Sequence, residues 1–168
     1  MTTYKYIGIC LLLWWGVSAC QPDDFPAIGD KVNKIEGIEG DWSVQSVKQI
    51  DEIALNDGAL NYEMDITDLF DFDDYHISFT SDDEGNPATF EVKGKAPNYV
   101  DTEGTWQFDN VEFPTKVMLF TDGATEATSV FYLNRVPSKG FNLELKFQRF
   151  EGDIPILSYV YTFTKVQP

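Results

Sequence analysis

The sequence predicts an all-β domain, an up-and-down antiparallel barrel of about eight strands with one short helical segment, or a closely related sandwich. Short segments alternate apolar and polar residues, which is typical of strands with one buried face. Turn-forming residues separate these segments at regular intervals. No long amphipathic helix follows the N-terminal region, so a parallel α/β fold is not expected. Closure of the sheet would remove its exposed edges.

The N-terminus predicts a secretory signal peptide over residues 1–19. Lys5 precedes an apolar run over residues 6–17, shorter than the roughly 20 residues that a transmembrane helix needs, so an uncleaved anchor is the weaker alternative. The run ends in Val17-Ser18-Ala19-Cys20, which resembles the lipobox of bacterial lipoproteins. The resemblance implies a diacylglycerol and an N-acyl chain on Cys20 as membrane anchor. An ordinary signal peptide is the alternative.

The residues behind Cys20 predict where the lipoprotein goes. Gln21, Asp23 and Asp24 resemble the signal by which Bacteroidota export lipoproteins to the outer face of the outer membrane. In other Gram-negative groups an aspartate directly after the cysteine retains the protein at the inner membrane, but this chain has Gln21 there. We therefore expect an outer-membrane lipoprotein that faces the cell exterior. A solvated, flexible tether is the alternative role for the two aspartates.

The charge balance excludes one class of partner. The net charge is −16, and loss of residues 1–19, whose charged side chain is Lys5, makes it one unit more negative. Such a surface repels nucleic acid and anionic headgroups. Solubility beside a negatively charged cell surface explains it, and binding of cations or cationic peptides is the alternative.

Catalytic motifs are missing from the sequence, and we do not expect an enzyme. Cys10 lies in the signal peptide and Cys20 carries the lipid, so the domain has no thiol for a nucleophile or a zinc site. The single histidine, His76, is expected on the polar face of a strand. The sequence has no phosphate loop, Gly-x-Ser-x-Gly or zinc-protease helix. No cofactor is expected beyond the lipid.

The elements are predicted in chain order. Residues 20–34 read as a lipidated tether, and residues 35–168 as the barrel domain. Trp42 and Val44 share one face of a first strand that continues to Ile50, and Asn56-Asp57-Gly58 forms a turn. A short helical segment is predicted over residues 65–72. The further strands are predicted over residues 59–64, 75–80, 90–94, 106–108, 116–121, 129–133, 141–148 and 157–163.

One motif carries a family resemblance. Gly40-Asp41-Trp42 heads the first strand and looks like the Gly-x-Trp motif of lipocalins, whose tryptophan packs across the closed end of the barrel. A similar Gly104-Thr105-Trp106 follows. With the lipobox, residues 35–166 resemble the lipocalin-like lipoproteins of Bacteroidota, many of which are encoded beside SusC/SusD-type importers. The chain departs from true lipocalins in lacking their second and third motifs and their long C-terminal helix.

The resemblance implies structural roles at a barrel end for Gly40, Trp42, Gly104 and Trp106. Activity would then lie at the opposite, loop-rich rim or on the outer surface. Weak calcium candidates are Asp68, Asp71, Asp73 and Asp74, with helix caps and solvated turns as the plainer role. An aromatic set forms either core or a pocket wall, with core favoured: Trp42, Tyr62, Phe90, Trp106, Phe108, Tyr159 and Tyr161.

Three functions follow as hypotheses. The first is a surface-anchored, non-catalytic binding or accessory lipoprotein beside a SusC/SusD-type nutrient-uptake complex, with a transporter or other surface lipoproteins as partners. The second is a binder of a small hydrophobic molecule or glycan inside the barrel. The third, least favoured, is a hydrolase with a carboxylate pair.

Overall fold

Nine β-strands form one sheet in which every pair of neighbours is antiparallel. A computed structural model describes residues 33–167. The strands are β1 (Gly40–Asp51), β2 (Glu63–Asp65), β3 (His76–Ser81), β4 (Pro87–Lys93), β5 (Glu103–Phe108), β6 (Lys116–Phe120), β7 (Ser129–Leu133), β8 (Leu143–Glu151) and β9 (Ile154–Lys165).

The sheet closes on itself because β1 pairs with both β3 and β9. Strands β1 and β3 to β9 therefore make a closed barrel of eight strands, and β2 is an additional strand. β2 and β3 use the same edge of β1, β2 beside residues 48–50 and β3 beside residues 40–43. The predicted fold class, an all-β antiparallel barrel of about eight strands, is confirmed.

Within residues 33–167, short helical segments occur at four places, where the sequence predicted one. Helix α1 (Lys34–Ile38) precedes the barrel and α2 (Glu52–Asn56) follows β1. The segment predicted as one helix over residues 65–72 consists of two 3-10 turns, Thr67–Leu69 and Phe72–Asp74. The strand predicted over residues 59–64 is wrong for most of its length, because β2 begins only at Glu63.

Each of the two α-helices begins after a residue whose side chain caps its first turn. Asn33 Oδ1 accepts from the amides of Ile35 and Glu36, and Asp51 Oδ1 accepts from those of Ile53 and Ala54. Each helix is only five residues long. Helices this short carry too little periodicity to stand out in the sequence, so the caps alone would have marked them.

The interior of the barrel is filled with aromatic and aliphatic side chains. Tyr161 lies at its middle and stacks on Tyr75 and Phe163, with ring centroids 5.7 and 5.9 Å away. Phe72 and Phe131 meet the same ring edge-on. The remaining buried apolar residues surround these five: Ile35, Ile38, Trp42, Val47, Ile66, Ile77, Phe79, Phe90, Val92, Ala96, Trp106, Phe108, Val117, Leu119, Leu143, Leu145 and Tyr159.

Strand direction divides the connections between two ends. The end where β1 begins, called here the N-terminal end, carries α1 and the β3–β4, β5–β6 and β7–β8 connections. The opposite end, called here the far end, carries the segment between β1 and β3 and the β4–β5, β6–β7 and β8–β9 connections.

Candidate functional site

Trp42 is fixed at the N-terminal end by a hydrogen bond from the edge of its ring and by a cation over the ring. Its Nε1 donates to the carbonyl oxygen of Ile38 at 2.7 Å, which ties it to α1. Lys165 Nζ lies 5.5 Å from the ring centroid and donates to the Glu39 carbonyl oxygen at 2.6 Å. Gly40 has φ of +117°, and a Cβ there would lie 2.7 Å from Lys165 Cε. These contacts give the Gly40-Asp41-Trp42 motif an architectural role.

Trp106 lies toward the same end of the barrel. Its ring meets those of Phe79 and Phe108 edge-on at 5.3 Å, and its Nε1 donates to the Thr80 carbonyl oxygen at 2.8 Å. Gly104 lies two residues nearer the far end, where any Cβ would collide with the Phe120 carbonyl oxygen. Only glycine therefore lets β5 approach β6 at this point.

The aromatic set from the sequence forms core. Six of its seven members are buried, and Tyr62, in the loop before β2, is half-buried. Burial raises the pKa of the Tyr161 phenol and also that of Tyr75. Both phenols therefore stay neutral at physiological pH and act as packing groups.

The β4–β5 connection covers part of the far end of this core. Tyr99, on the connection between β4 and β5, stacks on Tyr159 with centroids 4.3 Å apart and on Phe147 at 6.1 Å. Burial, followed by a hydrogen bond with Tyr159, raises the pKa of Tyr99 to about 12. In the same loop Asn98 Oδ1 accepts from the Tyr75 hydroxyl at 3.2 Å. The sequence predicted a loop here but gave no sign that it covers the core.

A surface depression with a volume of about 860 Å³ lies on the outer wall of β4 and β5, beside the end of β6. Threonine hydroxyls and four carboxylates dominate its lining: Thr89, Phe90, Glu91, Asp101, Thr102, Glu103, Gly104, Thr105, Thr121 and Asp122. A second depression of about 590 Å³ shares Thr89 and Thr105 with it and extends toward the N-terminal end. Hydroxyls and carboxylates of this kind suit ligands rich in hydrogen-bond donors, such as glycans or cationic groups.

Two of these carboxylates have partners that hold them in place. Glu91 Oε2 pairs with Lys93 Nζ at 2.7 Å. Asp101 Oδ2 accepts from the Thr128 hydroxyl at 2.5 Å, which links the β4–β5 and β6–β7 connections. The hydrogen bond between Thr128 and Asp101 thus joins the two loops beside the depression. Sequence reasoning missed this site, since its residues come from two strands and two loops.

Glu52 is a buried acid that the sequence did not single out. Its carboxylate pairs with Lys146 Nζ at 2.6 Å and also accepts from the Ser158 hydroxyl and the Gln148 amide. Burial raises its pKa, but the hydrogen bonds from Lys146 and Ser158 outweigh that effect, and the net pKa is lowered. The cluster fastens α2 to the outer face of β8 and β9.

The remaining predicted residues are dispersed or lie outside the described part. Asp68, Asp71, Asp73 and Asp74 are exposed, and Asp74 pairs with Lys95 at 3.4 Å. Within residues 33–167, no three His, Cys, Asp or Glu side chains converge on a site that could hold a metal ion. His76 is half-buried on β3, beside Asp41, Glu91 and Lys93 on the outer wall. Cys20, Gln21, Asp23 and Asp24 lie outside the described residues.

Fold and site together define a closed antiparallel barrel with a helix at its N-terminal end, an aromatic interior and a polar depression on its wall. This fold is compatible with a lipocalin-like binding protein. The family model DUF5004, described as a domain of unknown function, matches residues 18–164, and the chain belongs to that family.

Two further observations accompany the family match. Neither the curated proteins nor the solved structures gave a significant match to the chain. Among the helices of the described residues, none has the length and apolar character needed to cross a membrane.

Proposed function

We propose that this protein is a non-catalytic lipoprotein, anchored in the outer membrane through Cys20 and facing the cell exterior, that binds a partner or ligand through the outside of its barrel. Its setting is a nutrient-uptake complex of the SusC/SusD type. The lipobox, the residues after Cys20 and the barrel resemblance support the anchor, the compartment and the setting.

One observation supports binding on the outside of the barrel: packed aromatic side chains around Tyr161 fill the interior. A core filled in this way stiffens the wall and leaves recognition to its outer surface. The depression on β4 and β5 offers the required concave, polar surface, and we assign it as the contact site for a glycan or a donor-rich protein surface.

Mild detergent extraction tests this proposal. The wild-type protein is expected to co-purify with outer-membrane partners, and Thr105→Arg, which places a long side chain on the floor of the depression, is expected to lose them. Thr164→Arg is the matched control, because Thr164 is an exposed threonine in β9, on the side of the barrel opposite β5. Recovery of the wild type as a lone monomer would refute the accessory role, and partner retention by Thr105→Arg would refute the assigned site.

The second candidate, a binder of a small hydrophobic molecule or glycan inside the barrel, is favoured by the loop at the far end. Tyr99 covers Tyr159 and Phe147 through ring stacking, so lifting this loop would expose an aromatic floor. Titration with a fluorescent fatty acid tests it: Tyr99→Ala would bind more tightly than wild type. Absence of binding to either form would eliminate this candidate.

A further inference from the structure

Large apolar side chains project from the N-terminal end of the barrel. Phe113 is 75% exposed, Phe141 is 60% exposed, and Val111 and Val136 are exposed beside them. Val111 and Phe113 lie on the β5–β6 connection, and Val136 and Phe141 lie on the β7–β8 connection. We call these four residues the apolar end face.

The two connections are neighbours, so the four side chains share one end of the barrel. β6 pairs with β7, and the Leu133 amide at the end of β7 donates to the Thr115 carbonyl oxygen, in the β5–β6 connection, at 2.8 Å. Exposed apolar side chains grouped in this way mark an interaction site more often than scattered residues do.

Hydrogen bonds fix the backbone of the two connections that carry these side chains. Asn110 Oδ1 accepts from the amides of Glu112 and Phe113 at 2.8 and 3.0 Å. On the other connection, Arg135 donates to the Asn142 carbonyl oxygen at 2.7 Å, and its guanidinium carbon lies 5.8 Å from the centre of the Phe141 ring. The loops therefore present the apolar tips in a fixed conformation.

Local charge decides which occupant fits. Residues 134–142 contain Arg135 and Lys139 and no acid, whereas residues 109–115 contain Asp109 and Glu112 and no base. Cationic side chains with apolar stems beside aromatic rings suit the interface between lipid headgroups and acyl chains. The far end exposes more large apolar side chains, among them Leu60, Leu69 and Ile154, but residues 51–74 are rich in acids and contain neither Lys nor Arg.

The chain also enters the barrel at this end. Helix α1 packs against the β7–β8 connection so closely that a Cβ on Gly37 would lie 2.6 Å from the Pro137 carbonyl carbon. Cys20 precedes Asn33, the first described residue, by thirteen positions. A chain of that length spans at most about 45 Å when fully extended. A lipid on Cys20 therefore keeps the N-terminal end within reach of the membrane.

We infer that the apolar end face sits in the headgroup region of the lipid bilayer and orients the barrel with its far end away from the membrane. This inference rests on the proposed lipid anchor. In this orientation the Phe113 and Phe141 side chains insert between the headgroups. Arg135 and Lys139 pair with phosphate oxygens, and the acidic far end faces the solvent.

Site-specific quenching tests the inference on the full, acylated protein reconstituted in phosphatidylethanolamine vesicles with brominated acyl chains. Phe113→Trp and Phe141→Trp each place an indole on the apolar end face, and Leu60→Trp is the control at a far-end position that is 95% exposed. Native Trp42 and Trp106 are only 1% and 2% exposed, so the new indole is the accessible one.

We expect emission from Phe113→Trp and Phe141→Trp to shift to shorter wavelength and to be quenched, and emission from Leu60→Trp to show neither change. Equal behaviour at all three positions would overturn the inference. A shift without quenching, seen only in native membranes, would assign the face to a protein partner and overturn it as well. Failure of the vesicles to retain the protein at all would instead count against the lipid anchor.

Discussion

Lys165, the last residue of β9, lies over the ring of Trp42, near the start of β1, with its Nζ 5.5 Å from the ring centroid. The same ammonium donates to the Glu39 carbonyl oxygen at 2.6 Å. The Val166 amide adds a bond to the Asp41 carbonyl oxygen at 2.8 Å. The seam between the first and last strands is thus fastened at the N-terminal end by side chain and backbone together.

Replacing this lysine is expected to loosen the seam. Lys165→Ala removes the cation–π contact and the bond to Glu39, which should lower the free energy of unfolding by about 1 kcal/mol. Urea denaturation followed by tryptophan fluorescence measures it. Lys93→Ala is the control, because that exposed lysine pairs with Glu91 on the surface and should leave the stability almost unchanged. Equal losses for the two variants would contradict the role given to Lys165.

Gly104 is expected to be intolerant of any side chain. Gly104→Ala drives a Cβ into the Phe120 carbonyl oxygen, so the variant should lose several kcal/mol of stability or fail to fold. Gly123→Ala is the matched control: its φ is also positive, at +77°, but its Cβ would meet nothing within 4 Å, and the cost should be about 1 kcal/mol. Thermal unfolding compares the two. Similar melting temperatures would show that β5 and β6 can separate.

Acid is expected to destabilise the fold through carboxylates with lowered pKa values. For Asp109, burial raises the pKa, but bonds from the Thr115 side chain and from backbone amides outweigh it and lower the pKa below the ordinary 3.8. The pKa of Asp82 is likewise lowered, because its carboxylate accepts hydrogen bonds from the backbone amide and the side chain of Asn86. A lowered folded-state pKa means that the stabilisation is complete above the unfolded-state value and is lost as pH falls through the folded-state value.

Denaturation between about pH 6 and about pH 3 measures this loss. Asp109→Asn should lose part of the pH dependence below about pH 4, because the amide cannot ionise. Gln107→Ala, at an exposed position on β5, is a control that leaves both aspartates and their hydrogen bonds in place. An unchanged slope in Asp109→Asn would mean that the carboxylate contributes equally in the folded and unfolded chain.

The cluster around Glu52 is expected to respond strongly to the loss of either partner. Glu52→Ala leaves Lys146 unpaired in a half-buried position and should cost about 2 kcal/mol. Glu63→Ala, which breaks the exposed pair with Lys48, should leave the stability almost unchanged. A double-mutant cycle with Lys146→Ala isolates the coupling. A coupling energy near zero would show that α2 is held by packing instead.

The sequence predicted the barrel because its strands alternate cleanly, as in β8 and β9, where one face is buried and the other polar. It could not predict α1 and α2, since five residues give no helical period. Trp42 and Gly40 were identified because a local motif carries them. The depression depends on β4 and β5 lying side by side, and Tyr99 acts through a loop, so neither leaves a local pattern.

Metabolic labelling with a tagged fatty acid tests the central claim, the lipid anchor on Cys20, most directly. Wild type and Cys20→Ala are compared, the variant being exported behind a signal peptide that a different peptidase removes. We expect the label and membrane association in wild type, and loss of both in Cys20→Ala. An unlabelled wild-type protein, or a variant that stays with the membrane fraction, would contradict the account.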